Sequence, residues 1–142
     1  MQLTRNFSRK ELQCKGCSNS YCPSKQDPIC NIDPGSLDKL QKLRDLIGLP
    51  LTIHSACRCR PHNAAIGGAD NSYHIADSRI ASRAFDVGLP RLKGKQPYAD
   101  RTMKPEELLV WGRKAGFTSF GLYNTFVHMD DREFPAVWDY RK

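Results

Sequence analysis

Leu37, Leu40, Leu43, Leu46 and Ile47 recur at steps of three and four residues, with Lys, Asp and Arg between them. That spacing predicts an amphipathic helix whose leucine stripe is core. Asp33-Pro34 opens it, and Gly48 with Pro50 ends it. Ser8-Arg9-Lys10-Glu11 has the form of a capping box and predicts a short helix, with Phe7 packing inward ahead of it. Lys104-Pro105-Glu106-Glu107 starts a further helix, its acidic residues suited to the positive N-terminal end. Leu108, Leu109 and Trp111 supply its apolar face, and Gly116 closes it. Pro61 begins a short helical turn to Ile66, which Gly67-Gly68 stops.

Strand-like runs alternate with these helices. Leu51 to Ser55 is one, and it places Arg58 just beyond a strand end. Ala84 to Leu89 is another, apolar except for Asp86. Phe117 to Tyr123 and Thr125 to Asp130 read as strands around a Tyr-Asn turn. Trp138 and Tyr140 are expected to cover a core edge, and Pro90 to Asp100 is basic and loop-like. No internal repeat or long linker divides the chain. The expectation is one domain over residues 1–142, with an N-terminal helix and Cys-rich loop over 1–33 and a core over 34–142.

Composition narrows the class. A chain of 142 residues, 39% hydrophobic and 26% charged, can bury a real core and is too apolar for disorder. The 22 Lys and Arg outnumber 15 Asp and Glu, for a net charge of +7. Such a balance favours an anionic partner or simply aids solubility. No aromatic-basic interleaving or recognition-helix pattern accompanies it, which disfavours nucleic acid. Met1 to Phe7 lacks the apolar run of a signal peptide, and no stretch approaches the roughly 20 apolar residues of a membrane span. The chain is therefore expected to be made as a soluble cytoplasmic protein, and to need release by something else if it acts outside.

Cys14, Cys17, Cys22 and Cys30 read C-x2-C-x4-C-x7-C in a polar segment that needs staples for order. A closed structural zinc site, disulfides and unlinked thiols are all compatible with that spacing. Cys57 and Cys59 complete the set of six.

The candidate chemistry lies between Ser55 and Asp130. His74 follows a Gly-Gly turn and a serine, Asp86 sits inside an apolar strand, and His128 stands between Val127 and Met129. A buried carboxylate is costly unless paired. Two imidazoles and a carboxylate would hold zinc with a fourth position open to water, whose pKa the ion lowers toward neutrality. The alternative is that Asp86 pairs with an arginine such as Arg83, or faces solvent. Asp77 is a rival ligand in less strand-like surroundings. His62, after Pro61, is expected at the surface.

Longer motifs carry a resemblance. The chain has Ser55-Ala56-Cys57-Arg58-Cys59-Arg60-Pro61, Asn63, Gly67-Gly68-Ala69, Ser72-Tyr73-His74 and Ser82-Arg83-Ala84-Phe85-Asp86. Gly116-Phe117, Gly121-Leu122-Tyr123 and Phe126-Val127-His128-Met129-Asp130 follow in order. This resembles the LAS-type zinc D-Ala-D-Ala metallopeptidases, distant relatives of the hedgehog signalling domain. It resembles above all the short peptidoglycan-hydrolysing members of bacteria and phages.

The resemblance implies an α+β fold, a small antiparallel sheet flanked by helices. It implies a zinc ion on His74, Asp86 and His128, and a peptidoglycan peptide as substrate for a carboxypeptidase or endopeptidase. It implies that Arg58 binds the peptide and stabilises developing negative charge, where the plainer role is a structural ion pair with a strand carboxylate. Ser72 would support the site and the substrate by hydrogen bonding. A monomer acting on the cell wall as a phage-released endolysin or a virion-associated enzyme fits the family's habits.

Two departures stand out. The interval from His74 to Asp86 is longer than in the family's Ser-x-His-x-x-Gly-x-Ala-x-Asp, with an insertion near Ile75 to Ile80 and Ser82 in place of glycine. Thr125 stands where many relatives carry the carboxylate that acts as general base. Asp130 lies two residues beyond His128 on the same strand face, so it is placed either to take a proton or to orient a ligand. Glu133 and His54 are weaker candidates. If no base serves, the domain would be a zinc-containing module that binds peptidoglycan or a protein without cutting.

Overall fold

A computed structural model describes residues 2–15, 32–76, 80–92 and 101–142. In chain order the helices are α1 (Arg9–Leu12), α2 (Pro34–Ile47), α3 (Arg60–Ala65) and α4 (Pro105–Ala115). The strands are β1 (Ile53–Ser55), β2 (Ala84–Gly88), β3 (Arg91–Leu92), β4 (Arg101–Thr102), β5 (Ser119–Leu122), β6 (Phe126–Asp130) and β7 (Val137–Asp139).

Local chemistry sets the helix ends. Ser8 and Glu11 close the predicted capping box around α1, with Ser8 N donating to Glu11 Oε2 at 2.7 Å. Asp33 accepts from Ser36 N at 2.9 Å and caps α2, and Gly48 ends it in the left-handed region at φ 73°. Glu107 accepts from Lys104 N at 3.1 Å at the start of α4 and also pairs with Arg101 at 2.6 Å.

The main sheet runs β1-β2-β6-β5-β7. Its first four strands pair antiparallel, as expected, but β7 lies parallel to β5. The reason is topological. After β6 the chain reverses and crosses to the far edge of β5, so β7 opposes β6 and follows β5. The sheet is thus mixed, mostly antiparallel, and flanked by helices. The basic stretch after Pro90 also departs from a pure loop, because Arg91–Leu92 pairs with Arg101–Thr102.

Side chains alternate across the central strands. Phe85, Val87, Phe120, Leu122, Val127 and Met129 join Leu40, Leu43, Leu108 and Phe117 in the main core. The opposite face carries Asp86, Gly121, His128 and Asp130. Within α2 the core stripe is shifted from the leucine spacing. Ser36, Leu40 and Leu43 are buried, whereas Leu46 is 39% exposed. At 3.6 residues per turn Leu46 falls well off the axis of the other three. Ser36 is admitted because its hydroxyl donates to buried Asp131 at 2.7 Å.

Candidate metal centre

Asp86 and His128 are directly opposed across β2 and β6, and Gly121 of β5 lies next to His128. Strand register alone therefore brings two of the three predicted ligands together. His74 arrives from the loop after α3. Its backbone N donates to Ser72 Oγ at 3.2 Å, and its carbonyl accepts from Arg58 N at 2.8 Å. The loop is held beside the segment that follows β1.

Three atoms converge there. His74 Nε2 stands 2.9 Å from Asp86 Oδ1 and 3.2 Å from His128 Nδ1, and His128 Nδ1 stands 3.1 Å from Asp86 Oδ1. All three residues are buried. The opposite nitrogen of each ring fixes its tautomer. His74 Nδ1 lies 2.7 Å from the Ala56 carbonyl, so it must donate. His128 Nε2 lies 2.7 Å from Asp130 Oδ2, so it must donate as well. In the neutral rings both lone pairs then face the Asp86 carboxylate, with no hydrogen among the three acceptors. Such an arrangement is stable around a cation. Ligand atoms about 2.0–2.1 Å from one tetrahedral zinc stand about 3.3–3.4 Å apart, close to the separations seen. The residues fit the metal.

Without an ion the same geometry shows in the titration. Burial pushes the Asp86 carboxyl up, but in the metal-free fold a protonated His128 or His74 ring donates to it, which outweighs burial and holds the group well below the usual range. Burial lowers His74. Burial also pushes His128 down, yet the bonds to Asp130 and Asp86 prevail and raise it above the ordinary imidazole value.

Asp86 spends its second oxygen on Arg58. Nη2 of Arg58 donates to Asp86 Oδ2 at 3.2 Å, Nε to Ser55 Oγ at 3.0 Å and Nη1 to Asn63 Oδ1 at 3.3 Å. Arg83, the sequence candidate for pairing Asp86, instead pairs with Asp131 at 2.8 Å. Asn63 is fixed in turn, because its Nδ2 donates to the Ala69 carbonyl at 2.9 Å. The guanidinium thus lies beside the His74–Asp86–His128 cluster in a single orientation.

A model of the family described as Peptidase M15 matches residues 5–130. The chain belongs to the peptidase M15 family. A comparison with the sequences of curated proteins finds no match. Membership in this peptidase family, whose members are zinc enzymes, agrees with the acceptor cluster of His74, Asp86 and His128.

A cleft of about 570 Å³ opens over this cluster. Arg58 and Ser72, both singled out from the M15-like motifs, line it, as do Tyr73, Tyr123, Trp138 and Arg132. Asp130 does not. It is fully buried beneath His128, and Arg132 donates to it from N, Nε and Nη2 at 3.1, 2.8 and 2.6 Å. Those bonds and His128 overcome the cost of burial and bring its carboxyl down to about 2. Among the described residues lining the cleft, Asp86 is the only carboxylate. Thr125, Glu133 and His54 are exposed and do not line it. His62 is half-buried, and Asp77 lies outside the described residues.

Sequence reasoning missed Arg132 and the role of Trp138. The Arg132 guanidinium lies 4.4 Å from the Tyr73 ring centre and 5.3 Å from that of Trp138, whose own ring is 5.2 Å from His128. A strand-end Asp-x-Arg was the available signal. Of the four cysteines considered for a structural metal or disulfide, Cys14 is buried and described. Cys17, Cys22 and Cys30 lie outside the described residues.

Proposed function

We propose that the protein is a zinc-dependent peptidase that hydrolyses peptide bonds of peptidoglycan, as a D-Ala carboxypeptidase or an endopeptidase. The observation that carries the reading is the meeting of three ligand-type atoms at the floor of a cleft, with no donor among them when both rings are neutral, in an M15 chain. His74 Nε2, Asp86 Oδ1 and His128 Nδ1 would hold the ion. When bound, it supplies the Lewis acidity that polarises a peptide carbonyl and makes water nucleophilic at neutral pH.

The chain's own residues do the positioning. Asp130 and the Ala56 carbonyl keep the two imidazoles in ligand tautomers. Arg58, held by Ser55, Asn63 and Asp86, faces the cleft and serves a substrate carboxylate or the developing oxyanion. Ser72 orients His74 through its backbone and borders the peptide's path. Tyr73, Tyr123 and Trp138 give that path apolar walls. The net charge of +7 suits an anionic wall, and a phage-released or virion-associated enzyme is the setting we infer. Among the described residues no helix is long and apolar enough to cross a membrane.

A second reading has its own observation. Asp130 is engaged by His128 and Arg132, and no described carboxylate other than Asp86 lines the cleft. A module that binds wall peptides without cutting them would look the same. Mass spectrometry of purified peptidoglycan after incubation with zinc-loaded protein separates the two. Released peptide fragments that vanish with chelator or His128→Ala support the peptidase and identify the bond. Wall binding with no fragment at any zinc level would leave the binding module.

A further inference from the structure

We propose that Arg132 determines specificity: the outer end of its guanidinium binds a carboxylate of the peptide held in the cleft. The inference rests on the reading of this cleft as a peptide site. A guanidinium offers two forks of N–H donors, one along the side from Nε to Nη2 and one across the end from Nη1 to Nη2. Asp130 takes the side, with Nε on Oδ1 at 2.8 Å and Nη2 on Oδ2 at 2.6 Å. Nη1 donates to none of the described residues, so the end fork is open. Asp130 is fully buried beneath His128, and the planar group turns its open end away from it. Arg132 lines the cleft, and 24% of its side chain is exposed.

The open fork is also pre-oriented. The centre of the guanidinium lies 4.4 Å from the Tyr73 ring centre and 5.3 Å from that of Trp138, and both rings line the same cleft. Bonded along one side and set against two aromatic rings, the group is fixed before a ligand arrives. A ligand need not order a long, mobile side chain.

Arg58 is the contrasting case. Each of its three guanidinium nitrogens already has a protein partner, and its side chain is 13% exposed. The two arginines reach the His74–Asp86–His128 cluster from different ligands, Arg58 through Asp86 and Arg132 through His128 by way of Asp130. Asp86, the one carboxylate among the described residues lining the cleft, is engaged with Arg58 and the two histidines. No carboxylate of the described lining therefore competes for the end of Arg132. A planar pair of N–H donors matches a carboxylate bidentately. Asp130 already balances the charge, so the gain is that of charge-assisted hydrogen bonds, about tenfold in affinity or somewhat more. The terminal carboxylate of a wall peptide and an internal one offer the same chemistry, and the test separates them.

The test titrates the full chain by calorimetry, zinc-loaded and again after chelation, so that binding is read without cleavage. The probe is a synthetic wall stem peptide in four forms: unmodified, amidated at its C-terminus, amidated at its internal carboxylates, and amidated at all of them. The expected result is that one of the two partial amidations weakens binding about tenfold, which names the carboxylate. That acid-over-amide ratio should vanish in Arg132→Gln and persist in Arg58→Gln. A purely structural role for Arg132 would lower the affinity of all four forms alike and leave the ratio intact, which overturns the proposal. Loss of the ratio in Arg58→Gln with its survival in Arg132→Gln overturns it too. Should Arg132→Gln fail to fold, a crystal structure of the native chain with the unmodified peptide decides. A carboxylate oxygen within hydrogen-bond distance of Nη1 supports the proposal, and one on Arg58 or in solvent overturns it. Equal affinity of the native chain for all four forms ends this proposal and leaves the peptidase reading standing, because released wall fragments test that reading without any carboxylate preference.

Discussion

His128 presents Nδ1 to Asp86 and His74 because Asp130 holds its Nε2 at 2.7 Å from the neighbouring position on the same strand face. Asp130 is itself held by three bonds from Arg132. The chain of contacts runs from Arg132 through a buried carboxylate to the ligand nitrogen. Asp130→Asn keeps the shape but offers His128 either an acceptor or a donor. Zinc affinity is expected to fall about 10- to 100-fold, read by competition with a chelating dye. Unchanged affinity would remove Asp130 from the metal's support.

Acid should release the metal through His128. Burial lowers this imidazole, but its bonds to Asp130 and Asp86 raise it above 6.5 in the metal-free fold. His74 is lowered and Asp86 lies well below the usual carboxylate range, so neither competes near neutrality. Metal needs His128 neutral. Affinity is therefore level above the raised value and falls by about tenfold per pH unit below it. Calorimetry in buffers of different ionisation enthalpy should count about one proton released below that value. No proton release at any pH would contradict the assignment.

Asp131 carries a separate, structural pH dependence. Burial pushes its carboxyl up, but Ser36, Lys39 and Arg83 outweigh that and lower it below 3.8. A depressed carboxylate contributes stability above its unfolded value, and the contribution is lost as pH falls through the folded one. The window therefore lies below about pH 4. Asp131→Asn should cost about 1–3 kcal/mol at pH 7 and flatten the acid limb of the melting temperature. An equally steep acid limb in the variant would show that other groups set it.

The parts of this fold legible in the sequence are those set by neighbours a few residues apart. The Ser8–Glu11 box, the Asp33 cap and the α2 periodicity act locally, and the strands around Asp86 and His128 show as apolar runs. A lone aspartate in such a run announces that it needs a partner, and the family-like motifs pointed to His74 and His128, which the fold does bring beside Asp86. Contacts made across the fold were not legible. β7 is a short, largely exposed strand with no alternation to announce its parallel pairing. Arg58 and Arg83 are equally plausible partners for Asp86 until the register puts Asp131 beside Arg83. Cys59 reaches Cys14 across 45 residues, a distance no spacing rule spans.

Arg58→Lys tests orientation against charge. The guanidinium uses three nitrogens on three different side chains, a fork that an ammonium cannot reproduce. Peptidase activity is expected to fall about 10²- to 10³-fold in kcat/KM. Zinc content should stay at the wild-type level, because Asp86 Oδ1, the atom facing the histidines, is not the one Arg58 holds. Loss of zinc in parallel with activity would instead make Arg58 a structural partner of Asp86.

Gly68→Ala probes the same guanidinium from one step further out. A Cβ at Gly68 would stand 2.2 Å from Asn63 Oδ1 and 2.7 Å from its Cγ, too close for any real contact. Asn63 is buried and tied to the Ala69 carbonyl, so it cannot move without losing that bond or its bond to Arg58. The added methyl should cost about 1–3 kcal/mol of stability through overpacking. It should also lower kcat/KM by up to about 10²-fold through Arg58 misplacement. Gly67→Ala is the comparison. That residue has no atom within 4 Å of a built Cβ, but its φ of 74° disfavours alanine. It should lose about 1–2 kcal/mol of stability while Arg58 keeps its contacts. Thermal melts paired with rate measurements read both effects. Equal activity losses in the two variants would show that the turn acts through the backbone and not through Asn63.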